Sequence, residues 1–134
     1  MRGLKLIALG LLSVALIGCS KESAQVEGKG GKKLELTGPS KTDVTQGETA
    51  KITIKVDRKE FKGPVDLEVS QLPEGITVLE NEKRIVEGKD SVELTLKATP
   101  EAPPVAGHKA QVAAKAGEMK VGPIAFEIDV EKKN

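Results

Sequence analysis

From Leu34 to Lys132 apolar residues recur at every second position, the spacing of strands with one buried face. In the segment from Thr49 to Asp57, Ala50, Ile52, Ile54 and Val56 share one face while Lys51, Thr53 and Lys55 share the other. Val65, Leu67 and Val69 oppose Asp66 and Glu68; Val92, Leu94 and Leu96 oppose Glu93, Thr95 and Lys97; Ile124, Phe126, Ile128 and Val130 oppose Ala125, Glu127 and Asp129. Ala110, Val112 and Ala114 make a weaker version, and Leu34-Leu36, Ile76-Val78 and Ile85-Val86 predict short strands. Between these runs stand turn residues: Gln46-Gly47-Glu48, Gly63-Pro64, Leu72-Pro73-Glu74-Gly75 as a type I turn, and Glu87-Gly88-Lys89-Asp90 as a hairpin turn. Pro100, Pro103, Pro104 and Gly107 predict a longer connection, and Gly122-Pro123 a break in the last strand. About seven or eight short strands at this spacing predict an all-β, antiparallel two-sheet sandwich.

The amino-terminal segment follows another pattern. Arg2 and Lys5 precede an apolar stretch from Leu6 to Ile17, and Ser13, Ala15 and Gly18 keep its end small, as in a secretory signal. The stretch falls short of the ~20 residues a membrane-spanning helix needs. Leu16-Ile17-Gly18-Cys19 resembles the lipobox of bacterial lipoproteins. The resemblance implies cleavage between Gly18 and Cys19, a diacylglycerol on the Cys19 sulfur and acylation of the new amino terminus. Ser20 stands where that family places aspartate for inner-membrane retention, so in a cell with two membranes the outer one is expected. Cys19 is the single cysteine of 134 residues, and an internal disulfide is therefore impossible. Several acyl chains on one residue make a firm anchor where one alone does not.

The expected organisation is then a signal peptide over 1–18, a lipidated flexible tether over 19–33 and one sandwich domain over 34–132. The tether assignment rests on Gly28, Gly30 and Gly31 among Lys, Glu and Ser. A chain of this kind from Ser20 to Lys33 has a root-mean-square span of roughly 20 Å. A domain near 100 residues buries a core without disulfide or metal support.

Within the domain, Val44-Thr45-Gln46-Gly47-Glu48-Thr49, Gly63-Pro64-Val65-Asp66-Leu67, Leu72-Pro73-Glu74-Gly75-Ile76-Thr77-Val78 and Gly88-Lys89-Asp90-Ser91-Val92-Glu93-Leu94-Thr95-Leu96 resemble the immunoglobulin-like modules of bacterial exported and surface proteins. The resemblance implies an immunoglobulin-like sandwich. The chain lacks the paired cysteines, the core tryptophan and the corner tyrosine of antibody-type domains.

Charge and chemistry narrow the functional classes. The chain carries 21 Lys and Arg against 20 Asp and Glu; without Arg2 and Lys5 the balance is 19 to 20, which gives nucleic acid no electrostatic purchase. His108 is the only histidine and is expected to be an exposed imidazole, so a zinc or copper site has too few nitrogen and sulfur ligands, and no nucleophile motif surrounds Ser40, Ser70 or Ser91. Asp57, Glu60, Asp66 and Asp90 lack calcium-loop spacing, and Gly28-Lys29-Gly30-Gly31-Lys32 lacks the full phosphate-loop pattern. Outside the signal segment the aromatic residues are Phe61 and Phe126, too few for a carbohydrate or nucleotide stacking platform. Phe126 is in phase with the core. Phe61, in the charged loop Arg58-Lys59-Glu60-Phe61-Lys62-Gly63 between two strands, is expected to pack over the end of the sandwich, with an exposed partner contact as the alternative. The expectation is a non-enzymatic, cofactor-free, lipid-anchored envelope protein whose sandwich surface or strand edge meets another envelope protein. The alternative is a small-ligand-binding or transport accessory lipoprotein using loops at one end of the sandwich.

Overall fold

A computed structural model of the chain describes residues 21–134. Ten strands lie in two five-stranded sheets. In chain order they are β1 (Ser23–Glu27), β2 (Lys33–Thr37), β3 (Thr42–Thr45), β4 (Thr49–Lys59), β5 (Val65–Ser70), β6 (Ile76–Val78), β7 (Arg84–Ile85), β8 (Ser91–Ala98), β9 (Val105–Ala116) and β10 (Met119–Glu131). One sheet runs β1-β2-β4-β8-β6 and the other β3-β10-β9-β5-β7. The predicted alternation is what the packing uses. Leu34, Leu36, Ile52, Ile54, Val56, Leu94 and Leu96 from the first sheet face Val44, Val65, Val112, Ile124, Phe126, Ile128 and Val130 from the second, all buried. Phe126 sits opposite Ala110 in the ladder, a large side chain set against a small one, and Ala114 and Ala116 continue the small row along β9.

The pairing β2-β4-β8 against β10-β9-β5, with β3 parallel to the end of β10, is the arrangement of an immunoglobulin-like sandwich. Two strands change sheets. β2 pairs β4 in the first sheet, then the chain turns through the buried Gly38 and Pro39 and continues as β3 beside β10 in the second. On the opposite flank β6 pairs β8, and after a crossover at Leu79–Lys83 the chain continues as β7 beside β5. Each switching segment thus pairs with part of one sheet and part of the other, and on the first flank β1 adds outside β2 as the edge strand of its sheet. The crossover is secured by Glu80, whose carboxylate accepts the Thr95 N–H at 2.8 Å and the Thr95 hydroxyl at 2.9 Å. It thereby satisfies the edge of β8 beyond the last residue of β6. The Thr95 N–H holds the Glu80 carboxyl below its ordinary pKa. On the other flank the Asp129 carboxylate accepts the Gly107 N–H at 2.7 Å and pairs with Lys41 at 3.2 Å, with the same downward effect, owed first to Gly107.

Several expectations are corrected. The flexible tether over 19–33 gives way within the described residues to β1 and a tight return: Ser23–Glu27 pairs antiparallel with β2, and Lys29–Gly31 forms a 3-10 turn. The physical reason is a short alternation, Ala24 and Val26 inward against Ser23, Gln25 and Glu27 outward, next to glycines that reverse the chain at positive φ. The sandwich thus begins at Ser23, and β1 and β3 bring the strands beyond the expected seven or eight. Glu87-Gly88 does not close a hairpin, because β7 and β8 lie in different sheets. The expected type I turn at Leu72–Gly75 is displaced by one residue: the Ile76 N–H bonds the Pro73 carbonyl, which places Gly75, at φ 84, third in the turn, as type II geometry requires. Gly122-Pro123 does not end a strand either. β10 passes through it with a shift in register between Val121 and Ile124, a bulge in its ladder with β9 in a stretch that β3 does not reach.

Two glycines at similar φ separate backbone strain from packing. A Cβ at Gly75 would lie 2.7 Å from the Cβ of Ala102, whereas at Gly88, φ 88, it meets nothing. Gly88→Ala is expected to cost about 1 kcal/mol, the left-handed penalty alone. Gly75→Ala adds overpacking and should cost about 3 kcal/mol, read as a lower denaturant midpoint. For Glu80 the lowered pKa means that the unfolded state takes up the proton first as pH falls, so stability present above the ordinary carboxylate range is lost on acidification through the folded value. Glu80→Gln is expected to flatten that acid limb, measured as denaturant midpoint against pH.

Candidate functional site

The two ends of the sandwich differ. At one end Gln46 donates from its amide to the Ala102 carbonyl at 2.8 Å and accepts the Lys133 N–H at 3.1 Å, drawing the β3–β4 turn, the β8–β9 connection and the chain after β10 together. The Gly47 N–H bonds the Thr99 carbonyl and the Thr99 N–H bonds the Gly75 carbonyl. His108, expected to be exposed, is half-buried near this end, and its Nε2 donates to the Gln71 carbonyl at 2.7 Å, beside the positive φ of Gln71.

The other end is organised by Arg58. Its position continues the inward series Ala50, Ile52, Ile54, Val56, so the side chain enters the sandwich from the last turn of the alternation. Its side chain is only 6% exposed, and a buried guanidinium must find acceptors. Nε donates to the Gly63 carbonyl at 2.7 Å, Nη1 to Lys89 at 2.6 Å, and Nη2 to Ile85 at 3.0 Å and Val86 at 3.1 Å. One planar cation therefore fixes the β4–β5 loop to the β7–β8 turn. The exposed Asp90 stands 3.9 Å away and adds little. In the sequence Arg58 opens the charged loop that holds Phe61, and its phase with Val56 is the signal that it turns inward.

Phe61 follows directly. Glu60 takes φ 65, uncommon for a side-chain-bearing residue, and the chain reverses there so that Phe61 packs against the core, half-buried. Phe61 forms one wall of a half-open cleft of about 690 Å³, with Val26, Pro64, Ala116 and Met119 as further apolar lining and Lys29, Lys32, Glu118 and Asp66 among its polar residues. The cleft lies between β1, the β4–β5 loop and the β9–β10 hairpin, where Gly117 at φ 60 makes the two-residue turn. Val26 belongs to the strand that sequence reasoning assigned to the tether, which is why this wall was not foreseen.

Of the other expected positions, Gly18 and Cys19 lie outside the described residues. Asp66 is exposed and pairs with Arg84 across the β5–β7 ladder at 2.7 Å, Asp57 points outward from β4, and Asp90 stands by Arg58. Among the described residues no three of His, Cys, Asp and Glu come together in a group that could hold a metal ion.

A scan against protein-family models finds no match, and a search of curated proteins finds none. Among solved structures the chain is similar to domains 4 and 5 of the S-layer protein SbsC, at 14% identity and TM-score 0.45, over 90% of this chain and 81% of that one. It is also similar to a chimeric titin Z1Z2 functionalized with a KLER exogenous peptide from decorin, at 15% identity and TM-score 0.38, over 86% of this chain and all of that one. The immunoglobulin-like character of the fold rests on its strand order.

Arg58→Lys keeps the charge but cannot reach four carbonyls in one plane. It is expected to cost about 1–3 kcal/mol, because the charge stays desolvated while most of its hydrogen bonds are lost, and the loss should appear in the denaturant midpoint.

Proposed function

We propose that the protein is an exported lipoprotein, held to a membrane through acylated Cys19, whose immunoglobulin-like domain is a structural or interaction module of the cell envelope. The observation that carries the interaction role is the cleft around Phe61, a half-open apolar recess on a rigid rim, with Arg58 and the β9–β10 hairpin fixing its walls. A recess of this form accepts an apolar side chain from a partner protein, with Phe61 as the aromatic contact. The anchoring role is supported by the lipobox resemblance of Leu16-Ile17-Gly18-Cys19. The alternative, a small-ligand binder, draws on the same recess, since its volume falls in the range of ligand sites.

The native protein is expected to begin at Cys19, with an amino-terminal peptide whose mass includes acyl chains, and Cys19→Ala to move from the detergent phase to the aqueous phase. A photo-crosslinking residue at position 61 should yield one discrete protein adduct in cells. Adducts at position 61 that match the background at an exposed sheet position such as Lys51 would refute the partner contact.

A further inference from the structure

Accepting the lipid anchor at Cys19, we infer that the domain does not swing on a tether but rests with its β1–β10 flank against the bilayer, turning the β6–β7 flank away from it. The carrying observation is that β1 takes up most of the expected linker. Ser23 is already paired with Thr37, and Glu22 is fixed on two sides: its carbonyl accepts the Gly38 N–H at 2.9 Å, and its carboxylate accepts the Ala125 N–H at 3.2 Å. Glu22 therefore lies between the sheet-switching bend of the first flank and the outer edge of β10.

The chain from Cys19 to Glu22 spans three residue steps, at most about 11 Å when fully extended. The headgroup layer on one side of a bilayer is about 5–7 Å thick. An acylated sulfur at the hydrocarbon boundary, set off from the backbone by the two bonds of the cysteine side chain, thus leaves under about 10 Å between the lipid surface and Glu22. This is about half the width of a five-stranded sheet, so the flank that carries Glu22 stays next to the headgroups. Five strands make each sheet about 19 Å across, which places the crossover at Leu79–Lys83, on the opposite flank, that far from the surface. Leu79, half exposed, is on the outward side. The occupant of the first flank is the lipid surface, and charge is not what draws it there: Glu22 and Asp129 accompany Lys21 and Lys41.

The test uses the native acylated protein in vesicles of phosphatidylcholine and phosphatidylglycerol, with Ser40→Cys on the first flank or Asn81→Cys on the second carrying a fluorophore. Both positions are exposed. A headgroup nitroxide is expected to quench the label at 40 several-fold more than the label at 81. Equal quenching in protein whose acylation is confirmed by mass overturns the orientation while leaving the anchor intact. An unacylated Cys19 overturns both. A Gly/Ser insert of about 14 residues after Ser20, restoring a span near 20 Å, is expected to abolish the contrast. A contrast that survives the insert would show adhesion by the flank itself and refute the short leash as its cause.

Discussion

Everything in this sandwich depends on how the backbone groups at its four sheet edges are satisfied. A sheet of five strands leaves a row of donors and acceptors along each side, and two stacked sheets double the problem. Here one segment on each flank crosses from sheet to sheet, β2 into β3 and β6 into β7, with β1 outside β2 as the edge strand. The economy has a geometric cost, because each half-length cover exposes the half it leaves. Those gaps are filled by side chains and by one added strand. Glu80 takes the next free N–H of β8, Glu22 takes that of Ala125 in β10, and β1 lies beside the part of β10 that β3 does not reach. Pro123 occupies the same exposed run and has no N–H to satisfy.

The ends obey the same rule with longer side chains. Gln46 and Arg58 aim at main-chain carbonyls from opposite ends. A domain with no disulfide and one buried aromatic, Phe126, thus holds its loops by polar groups directed at the backbone. Pairs on the outer faces, such as Lys51 with Glu93, are solvated and contribute little. The loops held in this way include those around Phe61 at one end and the turn at Gln46 at the other.

The main strands were legible because period-two alternation survives wherever one face is buried and the other wet; β4, β5, β8 and β10 announce themselves this way. Legibility failed where a strand is too short to show a period or where sheet membership decides its role. Ser23–Glu27 has two apolar positions, Thr42–Thr45 has Val44 alone, and neither outweighs the glycines and polar residues around it. The turn at Glu87-Gly88 is local chemistry that would suit a hairpin, but the destination of the next strand is a tertiary matter. Of the candidate site, Phe61 was visible as an aromatic in a polar loop, yet its surroundings were not. Val26 and Met119 reach it from segments 35 and 58 residues away in the chain. Arg58 was readable in principle, since it keeps phase with Val56; charge misled where periodicity would have served.

The parallel ladder of β3 with β10 joins Thr42 to Ile128. Loop closure over so long a separation is slow, and the bond cannot form before the last strand exists. β10 also supplies Ile124, Phe126, Ile128 and Val130 to the core, so a nascent chain lacking it has neither a complete first flank nor its buried aromatic ring. Any machinery that handles this chain from its amino terminus therefore meets a sandwich whose β3 edge and core stay incomplete until β10 is available.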